Sequence, residues 1–312
     1  MSLSEGMEAV ENAASTGSPE GDGNEEATGG LWRDALRRLR RNPTAILGAV
    51  LVLIFILVAV FAPWLAPYDP RFQDLSQIRP GKFPGPSSEH LLGLDQLGRD
   101  VLSRVIYGAR YSLLIGIVSL SLGAAVGIVL GLIAGAFGGW VDSLVMRLVD
   151  IMLSVPGLLL AIGIAALLGR SLKSVMIAIA VVNVPIFARL LRGSMLAQRR
   201  SDYALAARSL GVTRSRVVLQ HVFPNSLGPV IVQATLALAT AIIDAAGLAF
   251  LGLGSADPAI PEWGRMLAET NALLASAPLL ALWPGIAIVL SVLGFYLLGE
   301  ALREALDPKL RR

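Results

Sequence analysis

Side chains able to carry bond chemistry are few in this chain. His90 and His221 are the only histidines, and cysteine is absent. Disulfides, thiolate metal sites, iron–sulfur ligation and a cysteine nucleophile are therefore excluded, and no HExxH zinc pair can form. No Gly-x-x-x-x-Gly-Lys-Ser/Thr run occurs, so there is no loop of that kind to cradle nucleotide phosphates. One acid, Asp244, falls inside a predicted apolar span. An ionised carboxylate in hydrocarbon costs on the order of 3 kcal/mol, so Asp244 must meet a cavity or a partner group. It is either a residue of a pathway or gate, or a structural acid near the membrane edge.

Two other patterns are mechanical rather than chemical. In SDYALAARSLGVTRSRVVLQHVFPNSLGP, residues 201–229, Ser201 or Asp202 can cap a short helix and Gly211 can end it in the left-handed conformation. That leaves a helix from Tyr203 to Leu210 with a small face of Ala204, Ala206 and Ala207, and a second helix capped by Thr213 and running towards Pro224. The segment is shaped to dock into a partner's groove, or else simply joins two spans. The second pattern is Gly123, Gly127, Gly131 and Gly135, spaced four apart, which puts a groove down one helix face where a neighbouring helix can approach closely.

The elements that position these residues are membrane helices. The chain is 54% apolar and 16% charged, with mean hydropathy +0.67, against roughly 25% charge in soluble domains. Uncharged stretches run over 42–68, 111–141, 151–169, 174–188, 217–243 and 270–299. A crossing needs about 20 residues, so the chain reads as all-α and polytopic. Six transmembrane helices are expected near 44–62, 112–137, 151–168, 174–190, 227–250 and 279–299. A transmembrane β-barrel, with strands of about ten alternating residues, does not fit these continuous runs.

Around the spans, residues 1–30 hold seven acids and no Lys or Arg. With few large apolar groups, they read as a disordered acidic tail. Residues 31–43 form a basic amphipathic segment with five arginines, and the loop 191–226 and its flanks at 189–216 add seven more against Asp202. The remaining 282 residues hold 26 basic and 16 acidic groups, net +10. The positive-inside rule then places the N-terminus, that loop and the tail 301–312 in the cytoplasm, and the loop 63–110 outside, before a five-helix core over 111–300. Within the outer loop, Val101, Leu102, Val105 and Ile106 opposite Arg104 and Arg110 suggest an interfacial helix leading into span two. Trp263 reads as an outer interfacial anchor or part of a lid, and His90 and His221 as structural or solvent-facing.

The run AARSLG, followed ten residues after Gly211 by HVFPN, resembles the EAA loop of ABC-importer permease subunits. Ala206, Ala207, Gly211 and Pro224 match its pattern, and Leu205 stands where the pattern has Glu. HLLGLDQLGRDVLSRVIYGARYSL (90–113), AFLGLG (249–254), PEWGRML (261–267) and LGEALREALDPKLR (298–311) resemble the C-type permease subunit of dipeptide, oligopeptide and nickel importers, and the likeness runs over 31–312. The resemblance implies a type I ABC-importer permease fold and a non-catalytic subunit in a bacterial or archaeal cell membrane. It implies an ATPase-coupling loop at Tyr203, Leu205, Ala206, Ala207, Gly211 and Pro224. It implies a B-type permease partner, two cytoplasmic ATPase subunits that bind ATP and magnesium, and an extracellular or periplasmic substrate-binding protein. The expected cargo is a dipeptide or oligopeptide, with nickel or glutathione as alternatives in the same family. The competing reading of another class, an ion-coupled secondary transporter, usually shows repeated halves and several buried ionisable groups. Here the only buried candidate is Asp244.

Overall fold

The computed structural model describes residues 36–78 and 84–306. The acidic segment 1–30, part of the basic segment after it and the end of the C-terminal tail lie outside the described residues. Helices dominate: α1 (Pro43–Leu65), α2 (Val101–Phe137), α3 (Gly139–Leu153), α4 (Gly157–Leu168), α5 (Leu172–Gln198), α6 (Asp202–Ser209), α7 (Leu227–Phe250), α8 (Trp263–Thr270) and α9 (Pro278–Leu306).

Local chemistry sets where these helices begin. Asn42 caps α1, its Oδ1 accepting from the Thr44 N–H at 2.9 Å, and Pro43 occupies the first position, where no amide donor is needed. Asp100 caps α2 by accepting from the Ser103 N–H at 2.7 Å. Nothing between Val101 and Phe137 breaks the helix. The expected interfacial helix and the second span are therefore one 37-residue helix, not two elements. Consecutive glycines at positive φ, Gly138 at 69° and Gly139 at 57°, then turn the chain into α3.

The span expected at 151–168 is corrected. It is a bent pair, α3 and α4, meeting at 87° across Ser154–Pro156. Pro156 cannot donate to the helix ladder, and the residue before a proline is pushed out of the helical region. Neither half alone has the about 20 residues a crossing requires. Among the described residues five other helices are long and apolar enough to cross, which makes six spans there if the bent pair counts as one. The span expected at 227–250 has those bounds, whereas α5 runs on to Gln198, which shortens the expected loop 191–226 at its start, and α9 runs on to Leu306.

The bundle is built on small residues. α2 and α5 form its most extensive pair. A Cβ on Gly123 would lie 2.5 Å from the Ala180 carbonyl oxygen, and one on Gly127 2.6 Å from that of Val184. One on Gly131 would lie 2.7 Å from the Ala188 carbonyl oxygen, and one on Gly135 2.8 Å from the Met195 sulfur. The four-residue glycine spacing therefore seats α5 backbone to backbone, where dispersion rather than the hydrophobic effect holds helices in lipid. α1 crosses α9 in the same way at Gly48 and Gly294.

Candidate functional site

One end of the bundle carries the start of α1, the segment 199–226 and the end of α9, where the Asn42 amide donates to Glu304 at 3.3 Å. We call it the basic end. There α6 closes in a Schellman motif. Gly211 has φ +80°, its N–H donates to the Arg208 carbonyl at 2.9 Å, and the Val212 N–H donates to that of Ala207 at 3.1 Å. Asp202 in the first turn and Arg208 in the last complement the helix dipole. Ser201 caps by backbone geometry only, since its hydroxyl donates instead to the Gln198 carbonyl at 2.6 Å.

The expected alanine face is divided. Ala204 is fully buried and Ala207 half-buried, packed with Phe187, Leu191, Met195, Val217 and Val222, whereas Ala206 is exposed. The reason is angular: positions three apart share a helix face, and positions two apart do not. The small side chains at 204 and 207 let α6 lie close on the bundle. Its free face is instead Tyr203, Leu205, Ala206 and Leu210, of which Leu210 is 84% exposed. Leu210 did not stand out in the sequence. The signal available was a large apolar residue directly before a helix-ending glycine.

Two arginines bolt this segment to α2. Arg199 donates to the Ala136 carbonyl at 2.7 Å, and Arg214 donates to those of Ala136 and Phe137 at 2.9 and 2.8 Å. The last carbonyls of a helix lack intrahelical partners and carry partial negative charge, so guanidinium groups suit them. Beyond Arg214–Arg216, residues Val217–Val222 form a π-helical turn leading to Pro224. The proline lacks the amide that Gln220 would need, and the ladder shifts register before it. Thr213 makes no side-chain cap bond. Ser194 on α5 donates to the Ser226 carbonyl at 3.1 Å, and Arg192 grips Asp142 on α3 with two bonds of 2.9 and 2.6 Å. The segment 199–226 is thus tied to α2, α5 and the start of α7 together.

The opposite end is closed by charge and by one indole. Arg99 donates to Asp95 at 2.6 Å, to Glu269 on α8 at 2.8 Å and to the Pro258 carbonyl at 2.8 Å. Arg265 donates to Glu269 at 2.8 Å and to the Ser255 carbonyl at 2.8 Å. Arg104, expected on the polar side of an interfacial helix, is 1% exposed and sits 3.5 Å from both Asp95 and Glu269. His90 is buried and pairs with Asp100 at 2.9 Å. Trp263 is no interfacial anchor. It is buried against Gly108 and Phe55 and donates to the Val105 carbonyl at 3.0 Å. Together these contacts form a lid that joins α1, α2 and α8.

Within that lid Glu262 is 1% exposed, and neither carboxyl oxygen makes a full hydrogen bond among the described residues. Burial pushes its pKa up to about 7, with the Ser255 backbone and Arg265 opposing only in part. An ordinary glutamate titrates near 4.5. Between those values the folded chain holds a proton that the unfolded chain releases, so stability falls as pH rises through this window and levels off above it. The full cost of charging approaches about 3 kcal/mol. We expect the wild-type Tm to drop from pH 5 to pH 8 and the Glu262→Gln slope to be clearly flatter, read by thermal unfolding in detergent. Equal slopes would show that Glu262 is not the group responsible.

Asp244 lies on α7, half-buried, and among the described residues it makes no ion pair or side-chain hydrogen bond. It is brought together neither with the basic-end segment nor with the charged lid.

The sequence comparisons extend these observations. Residues 127–312 match the family described as binding-protein-dependent transport system inner membrane component, and residues 30–84 match the N-terminal transmembrane domain of oligopeptide transport permease C. The chain is 46% identical over 281 residues to a dipeptide transport system permease protein of Alkalihalophilus pseudofirmus, covering 90% of each chain. It is 44% identical over 281 residues to a glutathione transport system permease protein of Escherichia coli, covering 90% of this chain and 91% of the relative. Among solved structures, an inward-facing MetNI methionine ABC transporter shares the fold with TM-score 0.52 and 19% identity, over 65% of this chain and 96% of that one.

Proposed function

The chain belongs to the binding-protein-dependent transport inner membrane components, as a C-type permease of the dipeptide and oligopeptide ABC importers, and from that premise we propose how it works. It forms half of a translocation pathway with a B-type permease subunit, in a bacterial or archaeal cell membrane. Two cytoplasmic ATPase subunits supply the motor, and an extracellular or periplasmic binding protein delivers the cargo. The basic end faces the cytoplasm, which the arginines of residues 36–41 and 199–216 favour. This chain performs no bond chemistry of its own.

One observation carries the reading. α6 presents Tyr203, Leu205, Ala206 and Leu210 outward while Arg199 and Arg214 bind the same segment to the end of α2. Closure of the ATPase dimer displaces α6. The displacement passes into α2 through the two arginines and into α7 through Ser226. Because α2 and α5 are seated backbone to backbone along Gly123, Gly127, Gly131 and Gly135, they move as one block. Leu205 replaces a polar contact of the EAA pattern with an apolar one on the exposed side of α6. Asp244, half-buried and without an ion partner among the described residues, is the residue of α7 best suited to face the pathway or gate.

A short peptide is the cargo that the dipeptide-permease relative favours. Glutathione, itself a tripeptide, is the second reading, supported by the relative that carries that name. The test is uptake into vesicles holding the complete complex. ATP-dependent accumulation of a labelled dipeptide, unaffected when the proton gradient is collapsed, is expected, with glutathione as the competing substrate in a parallel arm. Uptake by this chain alone, driven by the proton gradient, would overturn the reading in favour of a secondary transporter.

A further inference from the structure

At the basic end, Leu196, Arg199, Arg200, Arg208, Val212 and Arg214 line an open cavity of about 580 Å³. Three of its four guanidinium groups donate to neutral carbonyls. Arg199 and Arg214 donate to carbonyls at the end of α2, and Arg208 donates to the Arg199 carbonyl at 3.3 Å. Among the described residues, no carboxylate lies within ion-pair distance of any of the four. Burial first, and then the charges of Arg214 and Arg208, lower the pKa of Arg199, with Asp142 opposing only in part. Four like charges around one partly enclosed space repel one another until an anion enters.

We propose that this cavity seats the acidic amino-terminal segment of the same chain, which thereby restrains the engagement of α6 with the ATPase. The charges are complementary: residues 1–30 carry Glu5, Glu8, Glu11, Glu20, Asp22, Glu25 and Glu26 and no Lys or Arg. The reach suffices, since a chain of about 35 residues spans roughly 30 Å as a random coil, comparable to a six-helix bundle with axes about 10 Å apart. The N-terminal family match begins at residue 30, so almost all of the acidic segment lies outside it. The inference rests on the proposed topology, in which the N-terminus and the cavity share the cytoplasmic side. Docking through exposed charges weakens with salt, so the restraint lifts as ionic strength rises.

Because the chain has no cysteine, Ser18→Cys provides one attachment point for a photo-crosslinker in the complete complex, reconstituted in nanodiscs of neutral lipid. We expect crosslinks to residues 196–214. Their yield should fall about fivefold or more when the seven acids are replaced by amides, when Arg200→Gln and Arg208→Gln are combined, and in about 0.5 M salt. In sealed vesicles of neutral lipid holding the same complex, ATP-driven uptake should rise with the amide tail. Equal yields for charged and amide tails would overturn the proposal. So would loss of the crosslink when the bilayer contains anionic lipid, which would assign the cavity to lipid headgroups. Labelling Ser18→Cys with a membrane-impermeant maleimide from each side tests the topology separately. Reaction from outside would sink the topology, whereas inside labelling without the charge-dependent crosslink would sink only the docking.

Discussion

Gly127→Leu is expected to destabilise the folded subunit strongly. The new Cβ would sit 2.6 Å from the Val184 carbonyl oxygen and 2.6 Å from the Phe187 Cβ, with the Ala188 backbone nitrogen at 3.2 Å. Backbone cannot rotate away as a long side chain can, so α2 and α5 must separate along the whole seam from Gly123 to Gly135. Overpacking of this kind costs about 1–3 kcal/mol or more, a large share of a stability of about 5–15 kcal/mol. The folded-to-unfolded equilibrium of the subunit should fall about tenfold or more, since about 1.4 kcal/mol is a factor of ten in an equilibrium, and recovery of monodisperse subunit with its partner should fall below that of wild type. Gly193→Leu is the control, because a Cβ there meets nothing within 4 Å, and it should assemble normally. If both variants assemble equally well, the seam does not hold the bundle.

Gly211→Val is expected to leave a complex that assembles and hydrolyses ATP yet imports poorly. A Cβ at this position meets no neighbour within 4 Å, so the damage comes from φ +80° alone. Left-handed backbone costs an L-residue about 1–2 kcal/mol, and a β-branched residue tolerates it worst. The Schellman bonds to Arg208 and Ala207 then loosen, and the free face of α6 loses its fixed angle to Arg199 and Arg214. Uptake per ATP hydrolysed should fall about tenfold, in proportion to a loss of about 1.4 kcal/mol in the coupled arrangement. Gly211→Asn, which accepts the left-handed region more readily, should recover much of it. A Gly211→Val complex with wild-type uptake per ATP would refute the lever.

The spans were legible because hydrocarbon demands long uncharged runs, and such runs can be counted. What counting missed was shape. The run 151–169 crosses Pro156 without a charge, so its length says crossing while the proline imposes an 87° bend. Helical spacing exposed the glycine seam, because period and packing share one face. The same spacing could have separated Ala204 and Ala207 from Ala206, yet grouping the three by size concealed it. The lid was the least legible part. Arg104 and Trp263 look interfacial beside their sequence neighbours. Their burial depends on Glu269 meeting Arg99 and on Gly108 admitting the indole, contacts between segments more than 150 residues apart.

The account stands on α6 being a cytoplasmic lever seated in the ATPase, and one measurement addresses that directly. Ala206→Cys, the sole cysteine of the chain, is treated with a short bifunctional crosslinker in vesicles holding the complete complex and, in parallel, with an impermeant maleimide from outside. The account predicts a crosslinked adduct of this subunit with an ATPase subunit, its yield changing on ATP binding, and no labelling from outside. Labelling from outside, or an absence of ATPase adduct in a complex that still imports peptide, would contradict it.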